Sequence, residues 1–136
     1  MNSFFKIITT LFAVIIITTA CVYDRGIILF NSQPITKENA LSDEMTFSVN
    51  SKVYYLFIAP KKMSNKFIRV QVFKMTDKAP WGGNDIVRTK DFRLMKDERY
   101  YYTDYFTFGE TGRYVMQVFS IDDLQHPLAL DFFYVK

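Results

Sequence analysis

"KFIRVQVFK", residues 66 to 74, places Ile68, Val70 and Val72 on one side of an extended chain and Arg69 and Gln71 on the other. Successive side chains of a strand leave opposite faces, so a period of two marks a strand with one face buried. This is the clearest strand in the sequence, and it sets the expectation for its neighbours.

Outward from it, apolar runs alternate with turn formers. Upstream, "TFSVNSKVYYLFIAP" (46–60) divides at Asn50-Ser51, and "GIILF" (26–30) is a short β-branched run closed by "NSQP". Between them "TKENALSDE" (36–44) has the content for one helical turn and is too short and polar for more. Downstream, "DIVRTKDFRL" (85–94) reads as a weaker strand pair or an edge, and "RYYYTDYFTF" (99–108) is aromatic on both faces. "GRYVMQVFSI" (112–121) and "PLALDFFYV" (127–135) complete the set. After residue 25 no stretch of ten residues keeps a helical apolar period. Strands spaced near ten residues and separated by Gly, Pro, Asn and Asp indicate an all-β domain over residues 26–136. The expected fold is a single antiparallel β-sandwich of seven or eight strands.

One motif sharpens the expectation. "ETGRYVM", Glu110 to Met116, resembles the corner leading into strand F of immunoglobulin-type domains, where a tyrosine hydroxyl bonds back to nearby backbone. The resemblance gives Tyr114 that role and makes Gly112 the residue that permits the tight turn. Met116 stands where antibody-type domains carry cysteine, and no strand-C tryptophan is visible, so packing must replace the inter-sheet disulfide. Phe, Tyr and Met can supply it, since each buried aromatic removes about 150–250 Å² from water. The likeness is architectural; fibronectin-like and transthyretin-like sandwiches fit equally well.

The N-terminal end reads differently. No charge occurs from Ile7 to Tyr23, with Lys6 before the run and Asp24 after it. A basic start, an apolar middle and the small-residue end Thr18-Thr19-Ala20 form the layout of a helical secretory signal peptide over residues 1–20. The alternatives are an uncleaved anchor or a buried helix.

"TTAC", Thr18 to Cys21, resembles the lipobox of bacterial lipoproteins, with Thr18 where leucine is commonest. The resemblance implies cleavage between Ala20 and Cys21 and a diacylglyceryl group on the Cys21 sulfur. It implies no other cofactor. Residues 21–25 would then be a lipidated N-terminus and short linker. An exported chain with one cysteine has no internal disulfide partner, which agrees. Each buried methylene contributes about 0.8 kcal/mol, so several acyl chains anchor firmly in membrane lipid. Val22 follows the cysteine where aspartate would signal retention, which by the family's sorting rule points to the outer membrane of a diderm host.

Lys6 leaves with the leader, so the net charge of +3 falls to +2, too balanced for a nucleic-acid partner. Catalytic chemistry is poorly provided for. His126, the single histidine, sits in the turn "DDLQHP" with no nucleophile motif nearby. Asp77, Asn84 and Asp85, or Asp122 and Asp123, lack the spacing of a calcium loop, and one histidine makes zinc improbable. The expectation is a non-enzymatic protein with no catalytic or metal-binding residues.

Two features exceed what a core requires. Trp81 stands in the glycine-rich loop "PWGGN", where it either grips a ligand or folds back over one end of the sandwich. In "YYYTDYFTF", Tyr101, Thr103, Tyr105 and Thr107 share one strand face, and Tyr100, Tyr102, Asp104 and Phe106 the other. One face must meet the core, so Tyr101 and Tyr105 become candidate contacts for a partner. Outward aromatics on this and the last strand are expected to form one patch. The resulting expectation is a lipid-anchored envelope protein that contacts another envelope, secretion-machine or surface protein. The alternative is a carbohydrate-binding lipoprotein that stacks sugars on Trp81 and tyrosines.

Overall fold

A computed structural model describes residues 25–76 and 83–136. The leader, Ala20, Cys21 and Trp81 lie outside the described residues. Within them the chain is all-β, with eight strands in two sheets and no helix.

The first sheet joins β1 (Ile27–Asn31), β3 (Lys52–Ile58) and β6 (Tyr101–Thr107) in that order. The second has the order β2 (Thr46–Phe47), β8 (Ala129–Val135), β7 (Gly112–Ser120), β4 (Phe67–Thr76) and β5 (Gly83–Arg93). The run from 46 to 60 divides where it was expected to: Asn50 takes a positive φ of 62°, which asparagine tolerates better than most residues. "DIVRTKDFRL" belongs to a single long edge strand rather than a pair.

Pairing is antiparallel except between β2 and β8, which run parallel through Thr46–Tyr134 and Phe47–Val135. This corrects the expectation of a purely antiparallel domain. Near its start the chain leaves β1 in one sheet and joins the edge of the other sheet as β2. Its parallel partner, β8, is the last strand, so the connection between them is the rest of the domain. A parallel pair needs a long connection, and this one has it.

The sheets face each other across one core. Ile28, Phe30, Val53, Tyr55, Phe57 and Phe106 point in from the first sheet. Ile68, Val70, Val72, Met116, Val118 and Phe133 point in from the second. Phe133 is the hub of an aromatic cluster, with ring centroids 4.8 Å from Phe30, 5.3 Å from Phe108, 5.6 Å from Tyr114 and 5.9 Å from Phe47. These contacts tie both sheets together where no cysteine is present, and Met116 is fully buried beside them.

Tyr114 donates its hydroxyl proton to the Glu110 carbonyl oxygen at 2.7 Å, the back-bond of a tyrosine corner. Gly112 opens β7 with a φ of 154°, and a Cβ there would lie 2.9 Å from Lys74 Cε. Lys74 in turn pairs with the Glu110 carboxylate, so the turn is fastened from two sides.

"TKENALSDE" forms a hydrogen-bonded turn and no helix, yet it has a structural role. Asp43 accepts from the Phe30 amide at 2.9 Å, the Glu44 amide donates to the Phe30 carbonyl at 2.9 Å, and Glu44 also accepts from Ser32. These bonds pin segment 32–45 along β1, and Ile35 and Ala40 reach the outer face of the first sheet beside Leu56.

Candidate interaction surface

From Tyr101 onward β6 divides as its alternation predicts, whereas Tyr100 precedes the strand and is exposed instead of sharing the inner face with Tyr102 and Phe106. Phe106 is buried and Tyr102 and Asp104 are partly buried, while Tyr101, Thr103, Tyr105 and Thr107 face outward. Tyr102 packs on Phe92 of β5 at 4.6 Å, and burial, then Asp104, pushes its phenol above the ordinary range. Tyr101 and Tyr105 are each 43% exposed.

Pairing register extends this face across the sheet. Ile27, Ile58 and Tyr101 form one cross-strand row, Leu29, Leu56 and Thr103 the next, and Asn31, Tyr54 and Tyr105 the third. Tyr54 and Tyr105 touch at 5.3 Å, and Lys52 Nζ lies 4.5 Å from the Tyr105 ring centroid. An outward sheet face normally alternates toward polar residues; here three rows are mostly apolar or aromatic. Segment 32–45 covers part of the second row and leaves a groove of about 640 Å³ between Ile35, Ala40, Leu56, Ile58 and the rings of Tyr100 and Tyr101. Its walls offer few hydrogen-bonding groups.

The expected merging of β6 aromatics with those of the last strand does not occur, because β6 and β8 lie in different sheets. Phe132 and Tyr134 face outward on the second sheet instead, edge to face at 5.8 Å, with the Arg113 guanidinium 4.3 Å over Phe132. Register there builds a row that strand-by-strand reading misses: Ile86, Phe73, Val115 and Phe132 lie side by side on four strands. A β-bulge opposite Val72 and Phe73 sets this alignment and turns Val87 toward the core. One signal in the sequence could have flagged both faces. "KVYYLFI" and "FIRVQVFK" carry more apolar side chains than one buried face can use.

His126 lies in an exposed turn with Nδ1 3.1 Å from each Asp123 carboxylate oxygen. Asp123 also accepts from the Gln125 and His126 amides, and its bond to His126 holds the carboxyl below the usual range. A shallow groove of about 260 Å³ joins this pair to Ser64, Ser120, Lys61 and Lys62. Ser120 bonds Asp122 rather than His126. Among the described residues no three His, Cys, Asp or Glu converge as metal ligands.

No family model matches the chain, and no curated protein matches it. Among solved structures it is similar to the soluble domain of PmoD from Methylocystis sp. (Rockwell), at 14% identity and a TM-score of 0.46, over 84% of this chain and 93% of that one.

Proposed function

We propose that this is a non-enzymatic, lipid-anchored envelope protein whose immunoglobulin-like sandwich contacts another envelope, secretion-machine or surface protein. The single observation that carries the reading is the outer face of the β1-β3-β6 sheet, where exposed Ile27, Tyr101 and Tyr105 stand in register with half-buried Ile58 and Tyr54, and segment 32–45 covers only part of the face. Contiguous apolar surface beyond a few hundred Å² marks interaction sites in soluble domains, and tyrosine is enriched at their centres. The strand orders β1-β3-β6 and β8-β7-β4-β5 correspond to A-B-E and G-F-C-C′ of an immunoglobulin-type domain, which supports that finer reading of the fold. The lipobox-like "TTAC" supports export, acylation of Cys21 and membrane attachment.

The test is site-specific photocrosslinking in native membranes. A photoreactive residue at Tyr105 should yield one dominant adduct, lost in a Cys21→Ser chain that no longer reaches the membrane. The same probe at Thr89, on the outer face of the other sheet, should not yield it. Equal adducts from both positions would reject the surface.

Carbohydrate binding is a second reading, favoured by the exposed rings of Tyr100 and Tyr101 beside a groove. The apolar walls of that groove suit side chains better than sugar hydroxyls, which need hydrogen-bond partners when desolvated. A glycan array read by Trp81 fluorescence distinguishes the two.

A further inference from the structure

The anchor and the domain meet at one end of the sandwich, and that end has its own chemistry. Gly26 leads into β1 with its amide donating to the Leu128 carbonyl at 2.8 Å, and its Cα is packed so closely that a Cβ would lie 2.5 Å from the Ile58 oxygen. The chain's point of departure toward Cys21 is therefore fixed. Five residues separate Ile27 from Cys21, six steps along the chain and a reach of at most about 22 Å when extended. Any acyl group on Cys21 is thus tethered to the domain through this end.

Strand polarity brings three loops to the same end: 59–66 after β3, 94–100 before β6 and 121–128 before β8. They and the adjoining strand ends present Ile27 (51% exposed), Tyr100 (55%), Tyr101, Met95 (64%), Leu124 and Phe67 to the outside. Interleaved with them are exposed Lys61, Lys62, Lys66 and Lys96, none of which has an ion-pair partner among the described residues. Among the described residues, three of the four carboxylates in these loops are engaged within the protein: Glu98 with the Met95 amide, Asp122 with Ser120 and Asp123 with His126. Asp97 is the fourth.

We propose that this end of the sandwich rests on an anionic lipid surface. The side chains of Tyr100, Tyr101, Ile27, Met95 and Leu124 sit at the headgroup boundary, and the four lysines lie against lipid phosphates. Tyrosine favours that boundary because its ring is apolar and its hydroxyl stays wet, and lysine stems lie along apolar surface while the ammonium reaches out. Basic residues beside a membrane anchor are drawn to anionic headgroups within a Debye length. The lipid is the bilayer that receives the Cys21 anchor, so the inference rests on the lipid-anchored reading above. Of the outer face described above, it assigns Ile27 and Tyr101 to the lipid and leaves Tyr54 and Tyr105, farther up the first sheet, clear for the protein partner.

The experiment uses the full-length chain, recovered from membranes and reconstituted into phosphatidylcholine vesicles with and without phosphatidylglycerol. In the unsubstituted protein, lysine acetylation read by mass spectrometry should slow several-fold at Lys61, Lys62 and Lys96 on phosphatidylglycerol vesicles relative to detergent, and stay unchanged at Lys52 and Lys136. In a Trp81→Phe background, Tyr101→Trp should lose most of its fluorescence to brominated acyl chains. Thr107→Trp, about 20 Å along the same strand, should not. The same mass spectra report the Cys21 sulfur. An acylated chain with unprotected lysines and no difference between the two tryptophans overturns the inference and leaves the anchor standing. A bare sulfur with protected lysines and a quenched Trp at 101 overturns the anchor and leaves the inference. A bare sulfur with neither signal overturns both.

Discussion

The Tyr114 hydroxyl reaches back over four residues to the Glu110 carbonyl, whereas the hydroxyl of Tyr55, fully buried across the core, has no hydrogen-bond partner among the described residues. The two phenols are chemically identical and oppositely placed. A satisfied buried hydroxyl stabilises by about 1 kcal/mol, and an unsatisfied one costs about 1–3 kcal/mol. Urea unfolding should therefore move in opposite directions: Tyr114→Phe loses about 1 kcal/mol, and Tyr55→Phe is neutral or gains about 1 kcal/mol. A loss for Tyr55→Phe as large as that for Tyr114→Phe would reject the assignment.

Gly112→Ala tests the same corner through the backbone. The 154° φ is costly for any residue with a Cβ, and Lys74 would have to shift from its place beside Glu110. A loss of about 1 kcal/mol or more is expected in thermal or urea unfolding. An alanine at Gly109, where a Cβ would meet only Asn50 Oδ1 at 3.6 Å, should cost less.

Phe133 joins both sheets through four aromatic neighbours, so its truncation removes packing that no cysteine pair replaces. Phe133→Ala should cost about 3–5 kcal/mol, and Phe133→Leu clearly less. Phe132→Ala, one residue away on the outer face, should leave the midpoint of unfolding nearly unchanged. Equal losses at 132 and 133 would contradict the assigned faces.

Asp131 supplies a pH test. Burial, then the nearby Asp43 charge, raises its carboxyl above the usual range, although the Phe132 amide bond opposes the shift. A raised folded value means the native state holds its proton more tightly than the unfolded chain. This group therefore adds stability at low pH, and the gain is lost as pH rises through the folded value. Asp131→Asn keeps an acceptor for the Phe132 amide and removes the charge. It should be more stable than the parent at pH 7, with the difference closing as pH falls below about 3.9, the unfolded aspartate value. The comparison must be with the parent at each pH, because Asp91 has the opposite sign: Arg69 holds its carboxyl low, so its contribution is lost on acidification. A difference that widens toward acid would reject the Asp131 assignment.

Much of the strand inventory was legible in the sequence because alternation and turn chemistry are local. Ile68, Val70 and Val72 point inward as their spacing requires, Asn50 breaks the 46–60 run, and Tyr101 and Tyr105 face away from Phe106. The candidate surface was only half legible. Tyr101 and Tyr105 were identifiable from their own strand, but Ile27, Leu29, Leu56 and Ile58 join them only through pairing with β1 and β3. The row Ile86, Phe73, Val115 and Phe132 was not legible at all, since it depends on a bulge and three separate pairings.

The sequence by itself determined the class of secondary structure, the alternating faces of β4 and β6 and the tyrosine corner. These follow from steric and hydrogen-bonding preferences within a few residues. Only the tertiary structure decided which strands are neighbours, that β2 runs parallel to β8, and that outward aromatics divide between two faces rather than forming one. Those outcomes depend on side chains far apart in the chain burying one another. A period of two says which way a side chain points and nothing about what lies beside it.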